Sequence, residues 1–335
     1  HSRKDIKNRK QRFIENESKR RSNLLMVDEV VKRANIKKGS VKLMYADLLV
    51  GFSAKLNNEE VKSLRSDPHV KAVFEDQQAQ FEQQGFAFQT FTGNQFEPNN
   101  VELAVALSGG PLNGSGKDTW IWIIDSGIDL DHPDLNIITQ DPFAISFTSD
   151  TPDDDYGHGT MVAGMAAAVN NSFGTSGVSS GAFVVPVKVG QPGLVSGYGA
   201  QLSSILAALN HIAKYFIYND VVNISIASFE GEDCSTSTGT LAETVRNAVE
   251  LLGFWGVWVC SGAGNQNDCT GADKNLPSCI NSSSPRVLSI GGMTQGKNCS
   301  NNSFGSSVDW LACTLSTSTY INGLYAPAEG TSLAT

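Results

Sequence analysis

Apolar and polar positions follow two alternating patterns from residue 119 onward. Short apolar runs such as TWIWIID, AFVVPVKV and GVWVCSGAG are typical of buried strands, whereas AQLSSILAALNHIAKYF and TLAETVRNAVELLGF repeat apolar residues at the period of a helix. Strands that alternate with helices predict an α/β fold in which helices cover both faces of a parallel sheet. Ligands of such sheets bind at the carboxyl ends of the strands.

The pattern before residue 119 is different and divides the chain. VKLMYADLLVGFSAKL predicts one strand, NNEEVKSLRSD predicts a helix that begins at an Asn, and PHVKAVFED predicts a second strand. RFIENESKRRSNLLMVDEVVKRANI, which precedes this small α+β unit, is basic and predicts a helix. The segment that follows the unit is rich in Gln, Gly, Asn and Pro. The predicted domains are a basic segment of unknown role at 1–40, the α+β unit at 41–81, a linker at 82–118 and the α/β domain at 119–335.

Charge is distributed unequally between these parts. Residues 1–81 contain 18 Lys and Arg against 11 Asp and Glu, a net charge of +7, whereas the whole chain of 335 residues carries −9. Opposite charge on two parts of one chain favours their docking on each other, and two independently solvated surfaces are the alternative. A nucleic-acid-binding arm is disfavoured, because HSRKDIKNRKQRF contains one aromatic residue and no recognition motif accompanies it.

Composition and cysteine content indicate a globular protein from an oxidising compartment. Hydrophobic residues make up 40% and charged residues 18%, which argues for a sizeable core and against disorder. No apolar run reaches the roughly 18 residues of a membrane span. An even number of cysteines without a CxxC pair favours disulfides over zinc, and therefore a secreted or secretory-pathway protein. The cysteines are Cys234, Cys260, Cys269, Cys279, Cys299 and Cys313.

Only one cysteine pairing is predicted from the residues themselves. Cys269 and Cys279 bracket a short polar loop, so we expect a disulfide between them. Cys260 ends the apolar run GVWVC and is also consistent with an ordinary buried thiol.

Three residues could form a nucleophilic centre at the carboxyl ends of the strands. Asp125 ends TWIWIID, His158 begins a helix after DDDYG, and Ser332 lies in GTSLA. A serine hydroxyl becomes a good nucleophile when a neutral imidazole accepts its proton and a carboxylate orients that imidazole. Each residue alone has a common structural explanation: a turn Asp, a His at a helix start and a loop Ser.

The sequence segments around these residues resemble the three catalytic motifs of the subtilisin-like serine proteases, the subtilases. DSGIDLDHPDL, HGTMVAGMAA and GTSLA occur in that family's order, Asp, His, Ser, which is also that of subtilisin. The resemblance runs from about residue 41 to 335 and implies a subtilisin-like three-layer α/β fold with a central parallel sheet. It implies a serine endopeptidase with Ser332 as nucleophile, His158 as base and then acid, and Asp125 as orienting carboxylate. CSGAGNQ resembles the oxyanion motif and implies that Asn265 and the Ser332 amide stabilise the tetrahedral intermediate.

NISIAS is similar to the subtilase strand edge that pairs with extended substrate, usually read as Ser-Leu-Gly-Gly. The resemblance implies substrate binding by Ser225, Ile226, Ala227 and Ser228, and by Gly262. Main-chain pairing can survive the two replaced glycines, because added-strand recognition uses backbone groups. The side chains of Ala227 and Ser228 are expected to narrow the primary specificity pocket. The stretch 274–278 resembles the other pocket wall, with Leu-Pro-Ser where the family has Tyr-Pro-Ala or Tyr-Pro-Gly, and leaves the side-chain preference open.

The same resemblance implies a structural calcium ion and no catalytic metal. Asp134 in DHPDL and Asn171 in VNNSFGTSG match calcium ligands of the family, with carbonyls from Val169, Phe173 and Thr175. One carboxylate, one amide and several carbonyls suit Ca²⁺, and an ordinary turn-rich loop is the alternative. The acidic DTPDDDYG segment could form a second cation site, but a solvated loop is the preferred interpretation.

SAKLNNEEVKSLRSDPHVKAVFEDQQAQF resembles the C-terminal half of the subtilase inhibitory propeptide, a small α+β domain of ferredoxin-like fold. The resemblance implies a zymogen in which this domain occupies the active site until cleavage, expected between Phe81 and Gln95. The expected partners are therefore a peptide or protein substrate and the chain's own propeptide, without nucleic acid.

Two departures from the family pattern carry further expectations. Ala312-Cys313-Thr314 replaces Ala-Pro-Gly, which leaves Cys313 able to pair with Cys299. In the family, Gly-Thr-Ser-x-Ala begins a long buried helix, so the chain is expected to continue beyond Thr335. The alternative function is a catalytically inert fragment or binding protein whose N-terminal domain inhibits other proteases.

Overall fold

The computed structural model describes residues 3–81, 89–148, 151–194, 197–229, 240–265, 272, 275–293 and 303–335. The helices are α1 (Arg3–Glu15), α2 (Glu17–Arg33), α3 (Asn58–Ser66), α4 (Leu103–Leu107), α5 (His158–Ala167), α6 (Leu202–Tyr215), α7 (Leu241–Phe254) and α8 (Thr331–Ala334). The strands of the N-terminal half are β1 (Val41–Tyr45), β2 (Gly51–Ala54), β3 (Gln78–Gln80), β4 (Phe91–Thr92), β5 (Leu112–Asn113), β6 (Trp120–Asp125), β7 (Asn136–Ile137) and β8 (Ile145–Ser146). The remaining strands are β9 (Ser179–Ser180), β10 (Phe183–Lys188), β11 (Gly190–Leu194), β12 (Gly197–Gln201), β13 (Val221–Ile224), β14 (Ala227–Phe229), β15 (Trp258–Gly262), β16 (Val287–Met293), β17 (Trp310–Cys313), β18 (Leu315–Tyr320) and β19 (Leu324–Glu329).

A parallel sheet forms the centre of the molecule. Its strand order is β17-β16-β15-β13-β6-β10-β7, and β8 also pairs with β10. All of these pairings are parallel. The predicted α/β fold with a central parallel sheet is therefore confirmed.

Helices cover both faces of this sheet, because successive side chains of a strand point to opposite faces. Trp122 and Ile124 of β6 belong to the large apolar cluster that includes α6 and α7. Ile123, between them, packs in a second cluster with Val162 of α5. All three strand residues are fully buried. The alternation gives the three layers that the sequence predicts.

Residues 3–81, which we call the N-terminal unit, contain the helices α1, α2 and α3 and a short antiparallel hairpin. The single strand predicted in VKLMYADLLVGFSAKL is wrong: the structure has two strands, β1 and β2, which pair with each other. The helix predicted at NNEEVKSLRSD is confirmed as α3, where Asn57 accepts hydrogen bonds from Glu59 N and Glu60 N and the Glu60 carboxylate accepts from Asn57 N. This reciprocal cap fixes the start of the helix.

The strand predicted at PHVKAVFED is also wrong, since residues 68–76 form no strand and β3 begins at Gln78. The physical reason is the position of its partners. β3 pairs on one side with β12 and on the other with β14, both from the larger domain. Ladder hydrogen bonds are therefore available to this segment only after it reaches those strands.

The N-terminal unit docks against α6, as the opposite charges of the two parts favour. Asn210 Oδ1 accepts hydrogen bonds from the backbone N–H groups of Ala46, Asp47 and Leu48. Lys71 Nζ donates to Glu243 at 2.9 Å on α7.

Of the cysteines that the structure describes, Cys260 and Cys313 are free thiols and Cys279 is disulfide-bonded. The predicted pairing of Cys313 with Cys299 is therefore wrong. The predicted partner of Cys279, Cys269, lies outside the described residues, as do Cys234 and Cys299. Helices in the described ranges include none with the length and hydropathy of a membrane span.

Candidate active site

An aspartate and a histidine meet at the carboxyl end of β6. Asp125 is the last residue of this strand, and His158 is the first residue of α5. His158 Nδ1 lies 2.8 Å from Asp125 Oδ1, and both side chains are buried. Gly159 allows the close approach of α5, because a Cβ there would lie 2.1 Å from Gly127 O.

The electrostatic surroundings favour a protonated imidazole. Burial lowers the pKa of His158, but the charge of Asp125, the hydrogen bond to it and the charge of Asp154 raise the pKa above its ordinary value. An imidazole can accept a proton only in its neutral form, and the neutral fraction increases as the pH rises through the pKa.

Asp154 was not predicted as a site residue. It connects Ser126, which follows Asp125, to the start of α5, which carries His158. Its Oδ1 accepts hydrogen bonds from Ser126 Oγ and Gly157 N, and its Oδ2 accepts from Thr160 N at 2.9 Å. Ser126 Oγ in turn accepts from Gly159 N at 2.9 Å. Asp154 therefore supplies the acceptors that the first turn of α5 needs, since Gly157 at its start has no side chain.

The acidic segment that contains Asp154 is only partly solvated. Asp153 and Asp155 are exposed, as the preferred interpretation had it, but Asp154 is buried. Within the described residues, no group of three or more His, Cys, Asp and Glu side chains is arranged to hold a metal ion. The signal for Asp154 in the sequence is its position four residues before a helix-starting His.

Ser332 lies in the short helix α8, next to the edge formed by residue 225. Its Oγ donates a hydrogen bond to Ser225 O at 3.3 Å, and Ser225 Oγ donates to Ser332 O at 3.2 Å. The hydroxyl is therefore bonded to Ser225 rather than to His158. Helix α8 contacts β15, β16, β17 and α5, which brings Ser332 to the same end of the sheet as His158.

Asn265 follows β15 and is held by the residue before Ser332. Its Oδ1 accepts hydrogen bonds from Thr331 N at 2.8 Å and from Thr331 Oγ1 at 3.1 Å. Gly262, the last residue of β15, lies beside the same helix, because a Cβ there would be 3.1 Å from Thr335 Oγ1. The carbonyl end of the Asn265 amide is thus fixed against α8.

The strand β3 of the N-terminal unit fills the cleft between β12 and β14. Ala79 pairs with Ala200, and Gln80 pairs with Gly199 on one side and Ala227 on the other. Gly199 allows this approach, because a Cβ there would lie 2.5 Å from Ala79 O. Ser225 and Ile226, directly before β14, are buried. The structure does not describe the side chains of Ala227 and Ser228, so the predicted narrowing of the specificity pocket stays a prediction. Lys274, in the predicted opposite wall of that pocket, also lies outside the described residues.

Phe81 follows β3 and lies against His158. The two ring centroids are 5.5 Å apart at 72°, and Phe81 also makes edge contacts with Tyr156 and Tyr198. Tyr156 and Tyr198 stack on each other at 4.0 Å. We call His158, Tyr156 and Tyr198 the aromatic pocket. Its occupant, Phe81, is buried.

The candidate calcium residues lie in a loop region formed by two segments, which meet where Val169 N donates to Asp134 O at 3.0 Å. Asp134 is fully buried, its Oδ1 accepts from Asn171 Nδ2 at 3.0 Å, and its Oδ2 accepts from Tyr325 Oη at 3.0 Å and from Thr175 N at 3.2 Å. Burial raises the pKa of Asp134 to about 6. Phe173 N donates to Asn171 Oδ1 at 2.6 Å. The donor chemistry of this loop, a carboxylate and an amide with backbone carbonyls, fits Ca²⁺.

Comparison with known proteins identifies the fold and the family of this site. The Subtilase family matches residues 116–335, and the family Peptidase inhibitor I9 matches residues 4–82. The chain belongs to the subtilase family. It is a subtilisin-like serine endopeptidase, a hydrolase made as a zymogen with an N-terminal propeptide domain.

Relatives agree with this assignment. Subtilisin amylosacchariticus of Bacillus subtilis subsp. amylosacchariticus is 31% identical over 287 residues, covering 84% of this chain and 67% of the relative. Alkaline serine protease ver112 of Corniculantispora psalliotae is 28% identical over 91% of this chain and 74% of its own. Minor extracellular protease Epr of Bacillus subtilis (strain 168) is 32% identical over 86% of this chain and 42% of its own.

A solved structure shares the fold. A cold adapted subtilisin-like serine proteinase superposes with a TM-score of 0.51 at 21% identity, and the match covers 72% of this chain and 79% of that one.

Proposed function

We propose that Asp125, His158, Ser332 and Asn265 are the catalytic residues of this endopeptidase. The observation that carries the proposal is the buried contact between His158 Nδ1 and Asp125 Oδ1 at 2.8 Å. With Nδ1–H donated to the carboxylate, Nε2 is the nitrogen that accepts a proton. His158 then acts as base toward Ser332 and afterwards as acid toward the leaving amine.

The nucleophile must change its hydrogen bond before reaction. The Ser332 hydroxyl donates to Ser225 O at 3.3 Å, so a rotation of this side chain toward His158 Nε2 precedes attack on the peptide carbonyl. Such hydrogen bonds often form only in the substrate complex. Attack joins Ser332 Oγ to the carbonyl carbon and places negative charge on the carbonyl oxygen. The Asn265 side-chain amide and the Ser332 backbone amide stabilise this oxyanion.

Substrate binds as an extended strand between β12 and β14. The pairing of Gln80 with Gly199 and Ala227 supports this, because a peptide substrate offers the same backbone groups. Ser225, Ile226, Ala227, Ser228 and Gly262 form the adjoining substrate-binding surface.

The propeptide is cut between residues 81 and 91, within the predicted range of 81 to 95. Phe81 lies on His158, whereas Phe91 already pairs with Tyr325 in the sheet β18-β19-β4. The bond that separates the two parts therefore falls between these positions. The I9 match to residues 4–82 supports a propeptide domain that includes the basic segment 1–40 as well as 41–81.

Asp134, Val169, Asn171, Phe173 and Thr175 bind a structural Ca²⁺. The ion would add positive charge beside the buried Asp134 carboxylate and hold the loop, and it takes no part in the chemistry. Asn171 Oδ1, which accepts from Phe173 N, and the loop carbonyls would turn toward the ion.

The protein acts outside the cytoplasm, as a secreted protease. Support comes from the disulfide-bonded Cys279 and from the similarity to Minor extracellular protease Epr. The bond between Cys269 and Cys279 is the pairing that we propose.

The roles are tested by comparing wild type, Ser332→Ala and Ser283→Ala full-length proteins. Ser283 is an exposed serine, so its substitution is the matched control. We expect self-cleavage between 81 and 91 by intact mass, and labelling by a fluorophosphonate, in wild type and Ser283→Ala but not in Ser332→Ala. Absence of both in a folded wild type would favour the inert binding protein instead.

A further inference from the structure

Arg9 of helix α1, in the N-terminal unit, is completely buried against the catalytic domain. Its Nη2 donates to Asp220 Oδ1 at 3.0 Å, and its Nη1 donates to Asp220 Oδ2. Nη1 also donates to Tyr215 O at 3.2 Å, Nη2 to Asp118 O at 2.9 Å, and Nε to Asp5 Oδ1 at 3.1 Å. A guanidinium has five N–H donors, and here each of them meets an acceptor.

The catalytic domain builds most of this binding site. The guanidinium lies 3.6 Å from the ring centre of Trp120, in cation–π contact. The Asp220 carboxylate is fixed by its own domain, because it also accepts hydrogen bonds from Trp120 N and from Trp122 Nε1, both at 2.9 Å. We call Asp220, Trp120 and the carbonyls of Tyr215 and Asp118 the guanidinium pocket. The flat Trp120 ring and the two Asp220 oxygens match the planar, forked guanidinium of Arg and do not match the ammonium of Lys.

The guanidinium pocket lies far from the cleft that β3 occupies. Trp120 begins β6, whereas Asp125 ends it, so roughly 16 Å of strand separates the pocket from the reacting groups. The N-terminal unit therefore holds the catalytic domain at two places, at opposite ends of the central sheet.

Neighbouring residues of α1 extend the same contact. Phe13 stacks on Tyr215 with ring centres 5.3 Å apart. The Arg12 guanidinium lies 3.8 Å from the ring centre of Phe216. These contacts continue on the face of α1 that carries Arg9, while Lys7 and Lys10 are exposed.

We propose that the guanidinium pocket is a second anchoring site for the propeptide, and that Arg9 sets how long the cleaved propeptide stays bound and inhibitory. The proposal rests on the proposed function. Cleavage between residues 81 and 91 separates the two parts of the chain but leaves the contacts of Arg9 intact. Release of the inhibitor then requires that a fully paired guanidinium leave a buried carboxylate, which makes the dissociation slow.

Docking of α1 is tested without catalysis in the uncut Ser332→Ala chain. Hydrogen exchange of residues 3–15 is compared in Arg9→Ala and Lys10→Ala on this background. Lys10 is adjacent, exposed and equally charged, so it is the matched control. We expect lost protection of α1 in Arg9→Ala alone, with unchanged protection of α6 and β6. Equal protection in both variants would overturn the proposal, even if the chain proves to have no peptidase activity.

Control of inhibition is tested on the active background with the same two substitutions. After cleavage is complete by intact mass, we expect the propeptide to dissociate on the order of 100-fold faster in Arg9→Ala than in wild type or Lys10→Ala. In Arg9→Ala, millimolar ethylguanidinium should slow the dissociation of the propeptide, because it occupies the empty guanidinium pocket. Ethylammonium at the same concentration should have no effect. Equal release rates in cleaved, folded proteins would contradict the anchoring role. A failure of all variants to cleave would count against the proposed function and leave the exchange experiment to decide the anchor.

Discussion

The ring of Phe81 meets the imidazole of His158 edge to face, with the centroids 5.5 Å apart. The inhibitory strand thus ends directly on the proposed general base. Tyr156 and Tyr198 complete the aromatic pocket around the same ring. In the proposed zymogen, the propeptide therefore covers the site with a side chain as well as with its backbone.

We expect Phe81→Ala to weaken inhibition by the cleaved propeptide on the order of 100-fold. The change removes a buried aromatic side chain and its ring contacts, together about 3 kcal/mol. Release is measured by the recovery of peptidase activity after cleavage. Phe74→Ala is the control, because Phe74 is an aromatic residue of the same unit that is 39% exposed. An equal effect of both substitutions would contradict a specific pocket.

The same pocket predicts a substrate preference. Peptides that carry Phe at the position of Phe81 should have a higher kcat/KM than the matching Ala peptides, by roughly tenfold or more. Tyr198→Ala should remove most of this difference and leave the Ala peptide little affected. A difference that survives in Tyr198→Ala would show that the aromatic pocket does not select the side chain.

The rate of self-cleavage should rise with pH through a midpoint above the ordinary histidine value of about 6.5. His158 must be neutral to accept the Ser332 proton, and its pKa in the zymogen is raised mainly by the charge of Asp125 against the effect of burial. The measurement is the single-turnover cleavage rate by intact mass over pH 5–9. A flat profile, or one that falls as the pH rises, would contradict the role of His158.

Asp154→Asn should lower kcat by roughly 10- to 100-fold and should change KM far less. The substitution weakens the acceptors that hold the start of α5, and it removes a charge that raises the pKa of His158. The midpoint of the pH profile should therefore also move to lower pH. Asp153→Asn is the matched control, since Asp153 is exposed. If both variants keep the wild-type midpoint, Asp154 has only a structural role.

Removal of calcium should lower the Tm of the protein. An ion present at a hundredfold excess over its Kd stabilises the native state by about 2.7 kcal/mol, which corresponds to roughly 5–10 °C in a domain of this size. The Tm is compared with EDTA and with added Ca²⁺. Asp134→Asn should abolish the difference, whereas the exposed neighbour Asp131→Asn should retain it. A wild type whose Tm is the same in both conditions would rule out the proposed ion.

The sequence motifs around Asp125 and His158 predicted the strand and helix that carry them, and the resemblance to the subtilases predicted that the two side chains pair. Each of these residues lies at the junction of a strongly apolar strand or helix with a polar turn, and such junctions are written in a few adjacent residues. The predicted strand at 120–125 and the helix from His158 are both present. The topology of a parallel sheet then brings them to one edge.

Arg9 could not have been assigned in the same way. In the sequence it is one of many basic residues of the segment 1–40, and such residues are usually exposed. Its partner Asp220 lies 211 positions away. Burial of this pair depends on how two domains dock, and no local pattern records that. The strand expected at 68–76 failed for a related reason, because β3 has its partners only in the other domain.

The cleft between β12 and β14 is one strand wide, and the pairing of Gln78, Ala79 and Gln80 shows what fits inside it. A peptide segment in a helix or a sheet already uses its backbone N–H and C=O groups in hydrogen bonds. It therefore cannot pair with β12 and β14 at the same time. The enzyme should therefore cut flexible loops and unfolded chains and spare compact proteins, including correctly folded copies of its own catalytic domain. Resistance to self-digestion would then follow from the same geometry that admits the propeptide.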